Sequence, residues 1–163
     1  MTKPGLFIVG KPKSGTTALY EFLRQHPEVY MSPWKEPFFF CKDINEQTIE
    51  YHKPASWDKT WGCRTLEQYM SLFDEVKDEK VVGEATTSYL YSEVAAKNIY
   101  EFNPDARIII MLREPVSFLY SLHSQRFVSA EEDVKDFKKV IELEEDRKQG
   151  KNVSPYARCP KLS

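Results

Sequence analysis

The chain has 163 residues, a formal net charge of −2 and a sequence pI near 6, which excludes a general polyanion binder and any nucleic-acid partner of that kind. With 41% hydrophobic and 29% charged residues it has the composition of a globular protein, and a single domain over 1–163 is expected. Three cysteines without a Cys-x-x-Cys pair indicate neither a zinc site nor a disulfide framework, no run reaches signal-peptide or membrane-spanning length, and a reducing cytoplasm is the default setting.

The first element is an apolar β-type run, Leu6-Phe7-Ile8-Val9, followed by the loop Gly10-Lys11-Pro12-Lys13-Ser14-Gly15-Thr16-Thr17. A helix over Thr16 to His26 comes next, with Leu19, Phe22, Leu23 and His26 at helical spacing. Strand, glycine-bounded loop and helix build a phosphate cradle, because loop N–H groups and a helix N-terminus point at one spot. The glycine spacing fits the nucleotide-binding pattern Gly-x-x-x-x-Gly-Lys-[Ser/Thr], but the residue after Gly15 is Thr16 and the lysine stands earlier, at Lys13. The apolar run Ile108 to Leu112 ends in Arg113 rather than a magnesium-holding Asp, so a kinase or NTPase is the lesser reading; magnesium-dependent ATP binding would revive it.

Pro27 stops the first helix, and Val29-Tyr30-Met31 is a short strand. In Ser32 to Phe40, the three phenylalanines 38–40 read as core. Glu36, set between prolines beside that aromatic cluster, is either a solvated loop residue or a desolvated carboxylate serving as a base. Residues 42–64 read as a long irregular connection in which Trp57 and Trp61 either line an acceptor site or plug the loop onto the body. Thr65 opens a helix whose core face is Leu66, Tyr69, Met70, Phe73 and Val76. Val81 to Ala85 is a strand running into the turn Thr86-Thr87-Ser88-Tyr89. Glu84 at its end is open to two roles, a hydrogen bond to acceptor or loop groups, or a structural one.

Ser92 caps a helix bearing Ala95, Ile99 and Phe102, which Asn103-Pro104 ends. Arg107 to Leu112, apolar almost throughout, predicts a strand buried on both faces of a parallel sheet. A helix then starts near Pro115 with Phe118, Leu119 and Leu122 inward. Ser129 and Glu132 form a capping-box pattern for a last helix with Val134, Phe137 and Ile141 buried, Arg147 and Lys148 at its end, and Gly150 as terminator. Alternating strands and helices imply an α/β, P-loop-like three-layer fold, a central parallel sheet flanked by helices. The ligand crevice belongs at the carboxyl ends of the strands, where the loops after 6–10, 81–85 and 107–112 converge.

Two of these segments carry a resemblance. Pro12-Lys13-Ser14-Gly15-Thr16-Thr17 resembles the 5′-phosphosulfate loop of the sulfotransferases, enzymes whose donor is 3′-phosphoadenosine-5′-phosphosulfate (PAPS). Arg113-Glu114-Pro115 with Ser121 resembles the family's 3′-phosphate element. The resemblance implies that Pro12 to Thr17 hold the 5′-phosphate, that Arg113 and Ser121 hold the 3′-phosphate, and that Lys13 is catalytic. It implies adenosine 3′,5′-bisphosphate as product, no metal, and a small-molecule or carbohydrate acceptor presenting a hydroxyl or amine. Glu36, just before a Phe-Phe pair, resembles a Glu that glycosaminoglycan-type and many bacterial members carry there, and in the glycosaminoglycan enzymes that Glu is the general base. None of His26, His52 and His123 has the Lys-x-x-His-Leu-Pro-like context of the cytosolic animal branch, which leaves His123, near Ser121, in reserve.

Two positions depart from the family pattern. Ala85 stands where some glycosaminoglycan enzymes carry a catalytic Lys, and Phe118 where an Arg is frequent. The resemblance covers the N-terminal and central portion of the family fold. Family members continue with a further strand, helices and a basic, glycine-rich loop, so the expectation is a fold incomplete at its C-terminus, with a sheet edge open to dimerisation. A non-catalytic module that binds the bisphosphate or a partner protein is the alternative to an enzyme.

Overall fold

The computed structural model describes residues 2–51 and 62–153, with side chains left undescribed over 47–51; Trp57, Trp61, His52 and Cys159 lie outside the described residues. The chain forms two compact units, one of residues 1–46 and 57–113, the other of 47–56 and 114–163.

The first unit is built on a four-stranded sheet of β1 (Leu6–Gly10), β2 (Val29–Met31), β3 (Val81–Ala85) and β4 (Arg107–Met111), in the order β2-β3-β1-β4 and parallel throughout. Between the strands run α1 (Thr16–Arg24), α2 (Lys42–Tyr51), α3 (Leu66–Ser71), a 3₁₀ turn at Thr87–Leu90, and α4 (Ala95–Phe102). β1 is central, and its alternating side chains divide the core. Leu6 and Ile8 join Tyr20, Met31 and Ala85 on one face. Phe7 and Val9 join Phe38, Phe40, Tyr69, Phe73, Val82, Tyr89, Ala95 and Ile99 on the other. Phe40 is the hub of that second face, with ring centroids of Phe7, Phe39, Tyr69, Tyr89 and Phe102 between 4.9 and 5.8 Å away. Each such edge-on pair adds about 0.5–1.5 kcal/mol beyond burial.

Local signals account for the helix ends. Thr65 and Gln68 form a reciprocal capping box at α3. Ser92 Oγ accepts from the Val94 and Ala95 amides ahead of α4. The second unit opens with α5 (Pro115–Val128), whose first turn has Pro115 and is capped by the Glu114 carboxylate on the Val116 and Ser117 amides. It continues with α6 (Phe137–Glu142) and α7 (Glu144–Lys148), and Gly150 leaves α7 at φ 73°.

Several expectations are corrected. β4 is not buried on both faces. It is an edge strand paired with β1, and Ile110 is 55% exposed, so its apolar run reads as surface that needs cover. In α1 the large buried side chain is Tyr20, whose hydroxyl donates to Ser32 O at 2.6 Å, while Phe22 is 72% exposed. Residues 42–64 are not irregular at their start: Lys42–Tyr51 is helical, with Asp43 favouring its first turn and Asn45 Nδ2 donating to Phe38 O. Leu66 is exposed, since α3 is short and turns only Tyr69 and Met70 inward.

In the second unit Leu119 and Ile141 are also exposed. Ser129 closes α5, its Oγ donating to Gln125 O, instead of opening a helix; Asp136 caps α6. Glu132 serves a different partner. Arg147 grips it with both nitrogens, at 2.6 and 3.0 Å. Burial pushes the Glu132 carboxyl up, but the guanidinium and the Val134 and Asp133 amides overcome that and hold it down at about 2.

Opposite Leu6 in the β1–β3 register stands Gly83, where a Cβ would lie 2.7 Å from Leu6 O and 2.9 Å from Leu6 Cβ. Gly83→Ala should therefore cost about 2 kcal/mol or more in urea unfolding. Gly150→Ala, in open space but at positive φ, should cost about 1 kcal/mol. A Gly83→Ala protein with the wild-type midpoint would contradict this strand packing.

Candidate active site at the carboxyl edge of the sheet

The loop after β1 is held by its neighbours. The Lys11 amide donates to Met111 O at 3.0 Å, and the Ser14 amide returns to Lys11 O. Lys13 (φ 63°) and Gly15 (φ 90°) are both left-handed, which curls the loop into the start of α1. α1 begins without a side-chain cap and without an acidic residue in its first turn. Its first N–H groups and the positive end of its dipole therefore face the loop uncompensated by the helix itself. Ser14 Oγ is buried with no hydrogen-bond partner. A buried orphan hydroxyl beside an uncapped helix N-terminus fits an anionic group such as a 5′-phosphate. Thr16 is buried, Pro12 half-buried, and Lys13 and Thr17 exposed. Arg113, one residue past Leu112 in the chain that leaves β4, reaches back so that Nη1 donates to Lys13 O at 3.0 Å. Loop and arginine thus meet at the sheet's carboxyl edge.

Glu36 lies at the same edge. Its amide donates to O of Ala85, the last residue of β3, at 2.9 Å. Its carboxylate accepts from the Thr87 amide at 3.0 Å, from Thr87 Oγ1, and from Lys35 Nζ at 2.8 Å. Its side chain is 23% exposed, so the acid is held in place yet open to solvent. Glu36 (φ 63°) and Phe38 (φ 55°) are both left-handed, a conformation that costs about 1–3 kcal/mol for each such residue and persists only where neighbours over-determine it.

Glu84 is not open to solvent at all. Thr86 Oγ1 donates to Oε2 at 2.6 Å; Tyr89 and Tyr69 hydroxyls donate to Oε1 at 2.7 and 3.2 Å. Of the roles open from sequence, full burial excludes contact with an acceptor, and the bonds present are structural ones, to Thr86 and Tyr89 of the following turn and to Tyr69 of α3. Burial pushes its carboxyl up to about 7, against the pull of the three hydroxyls and with a push from the Glu36 charge.

Ser121 and His123 stand on α5 in the second unit, where His123 Nε2 is 2.9 Å from Val134 O. His123 also lines a cavity of about 270 Å³ with Leu119, Leu122, Phe137 and Ile141. Sequence reading passed over Lys35, Thr87, Tyr69 and Tyr89. Thr87 and Tyr89 had a local signal, the Thr-rich turn after β3, whereas Tyr69 read simply as core.

A parallel α/β sheet whose first loop runs into an uncapped helix N-terminus is the arrangement of phosphate-binding α/β folds. The family model described as the sulfotransferase family matches residues 4–149, and the chain belongs to that family. It is 31% identical over 173 residues to carbohydrate sulfotransferase 15 of Homo sapiens, covering 85% of this chain and 30% of that protein. It is 33% identical over 122 residues to heparan sulfate glucosamine 3-O-sulfotransferase 6 of Homo sapiens, covering 75% and 30%. The crystal structure of a sulfotransferase from Alicyclobacillus acidocaldarius superposes with a TM-score of 0.74 at 32% identity, covering 98% of this chain and 64% of that one. The chain thus spans about 30% of the length of these curated relatives.

Glu84 gives a pH test. An unfolded glutamate titrates near 4.5 and the folded one near 7. Between these values the folded chain binds more protons than the unfolded one, so stability falls as pH rises from 4.5 to 7 and is level above. The drop expected from this group is roughly 3 kcal/mol. Urea titrations at several pH values should show this slope in the wild type and a flat line for Glu84→Gln. Equal slopes in both would contradict a protonatable, buried Glu84.

Proposed function

We propose that the chain forms the donor-binding and catalytic part of a sulfotransferase that moves a sulfonyl group from PAPS to an acceptor hydroxyl or amine. The observation that carries the reading is the β1–α1 loop. An orphan buried Ser14 hydroxyl, an uncapped helix N-terminus and Arg113 docked on Lys13 O make an anion site joined to a second cation. The donor supplies a sulfonyl group already activated by attachment to a 5′-phosphate.

The chain's own residues supply placement and charge. Amides from Ser14 to Thr17, with the Thr16 and Thr17 hydroxyls, would hold the 5′-phosphate. The Lys13 ammonium, exposed at the loop's left-handed turn, would neutralise charge on the departing phosphate. Arg113 would hold the 3′-phosphate, the group that separates this nucleotide from 5′-AMP. Glu36, fixed by Thr87 and Lys35 yet partly open, would take the proton of the acceptor. Relatives named for carbohydrate and heparan sulfate glucosamine support a carbohydrate acceptor for this chain.

Lys13→Ala should lower sulfonyl transfer from labelled PAPS to a glycosaminoglycan oligosaccharide by about a hundredfold or more, the scale of one strong transition-state contact. Far-ultraviolet circular dichroism and the melting temperature should be unchanged, since the side chain is exposed. Transfer at the wild-type rate would remove Lys13 from the mechanism.

A further inference from the structure

We infer that Glu84 is a positioning residue for Glu36, acting through the Thr86–Tyr89 turn that it holds from below. The inference rests on the reading of Glu36 as the base. The loop bearing Glu36 keeps two residues in left-handed backbone, Glu36 and Phe38, so neighbouring contacts must hold it there. Three of its contacts run to one short segment after β3. The Glu36 amide bonds Ala85 O, the Glu36 carboxylate receives the Thr87 amide and hydroxyl, and the Phe40 amide reaches the Tyr89 hydroxyl at 3.4 Å.

Glu84 fixes that same segment from the side away from solvent. Its two oxygens take the hydroxyls of Thr86 and Tyr89, the residues that bracket Thr87 and Ser88, and Tyr69 of α3 adds a third donor. Tyr89 is the direct link, since one hydroxyl oxygen donates to Glu84 and accepts from Phe40 in the loop of the base. The Thr86 amide is tied to Ile8 O, which anchors the segment to the central strand independently of Glu84. An apolar residue at position 84 would preserve burial but leave three hydroxyls to find other partners. The ionisable groups coupled to Glu84 are Tyr69, Tyr89, Glu36, Cys41 and Cys63. Among these, Glu36 is the half-open carboxylate.

The test uses the whole chain and two variants, Glu84→Gln and Tyr89→Phe. Amide hydrogen exchange read by NMR should show Thr87 exchanging about tenfold faster or more in both, while Phe7 and Ile8 of β1 keep their protection. Unchanged Thr87 exchange in both variants overturns the inference. Equal loss at Thr87 and in β1 also overturns it, because that is a general structural role. Should Glu84→Gln fail to fold, Tyr89→Phe decides alone.

Transfer assays separate this inference from the reading beneath it. Glu84→Gln should lower kcat by about tenfold and leave KM for PAPS unchanged, whereas Glu36→Gln should abolish turnover. Full activity in Glu36→Gln would remove the base assignment. A dead Glu36→Gln beside a Glu84→Gln with wild-type kcat would overturn only the positioning role of Glu84.

Discussion

The close approach of the Gly10 backbone to Met111 is the constraint on which the site depends. A Cβ at Gly10 would lie 2.2 Å from Met111 O, closer than any side chain can sit. Without it, β1 runs to its last residue beside β4, and the next amide, Lys11, bonds that same carbonyl. The loop therefore folds back over the end of the sheet at one height. Arg113, leaving β4 two residues later in sequence, then meets Lys13 O. Parallel pairing supplies the rest. Loops from all four strands leave the same edge, so cations from two of them and a carboxylate from a third are brought to one edge by topology rather than by sequence.

Opposite charges share this edge without collapsing onto one another because each is tied down locally. Glu36 is bound to Lys35 and Thr87, and Arg113 to a backbone carbonyl. Strain in the Glu36 loop and the buried Glu84 carboxyl are both unfavourable in isolation. They are coupled through Tyr89 and Thr87, and together they hold a half-open acid in one orientation. Preorganisation of this kind is what a transfer reaction with little covalent chemistry asks of its protein.

Much of this was legible in the sequence. The loop announced itself by its glycines, and the apolar runs 6–9, 81–85 and 107–112 gave the strands, because period and punctuation are local properties. Burial was less legible. Ile108 to Ile110 are as apolar as a doubly covered strand, but β4 is an edge, and strand order is not written in any one segment. Phe22 and Leu66 kept helical spacing yet face outward, since Tyr20 and Tyr69 took the core positions by means of hydroxyls that found buried partners. The Ser129–Glu132 pattern failed for a related reason: Arg147 lies 15 positions along the chain, and its fork claimed the Glu132 carboxylate. Within the site, Glu36 was readable from its resemblance, but Thr87 and Tyr89 were legible only as members of a turn, because their contacts to the Glu36 loop exist only once β3 lies beside β2.

The central claim is that the β1–α1 loop and Arg113 form a site for a nucleotide with phosphates at both ends of its ribose. The most direct measurement is calorimetric titration of this chain with adenosine 3′,5′-bisphosphate, 5′-AMP and magnesium-ATP. The account predicts that the bisphosphate binds at least tenfold more tightly than either competitor, and without magnesium. Equal affinity for 5′-AMP, or tighter and magnesium-dependent binding of ATP, would contradict it.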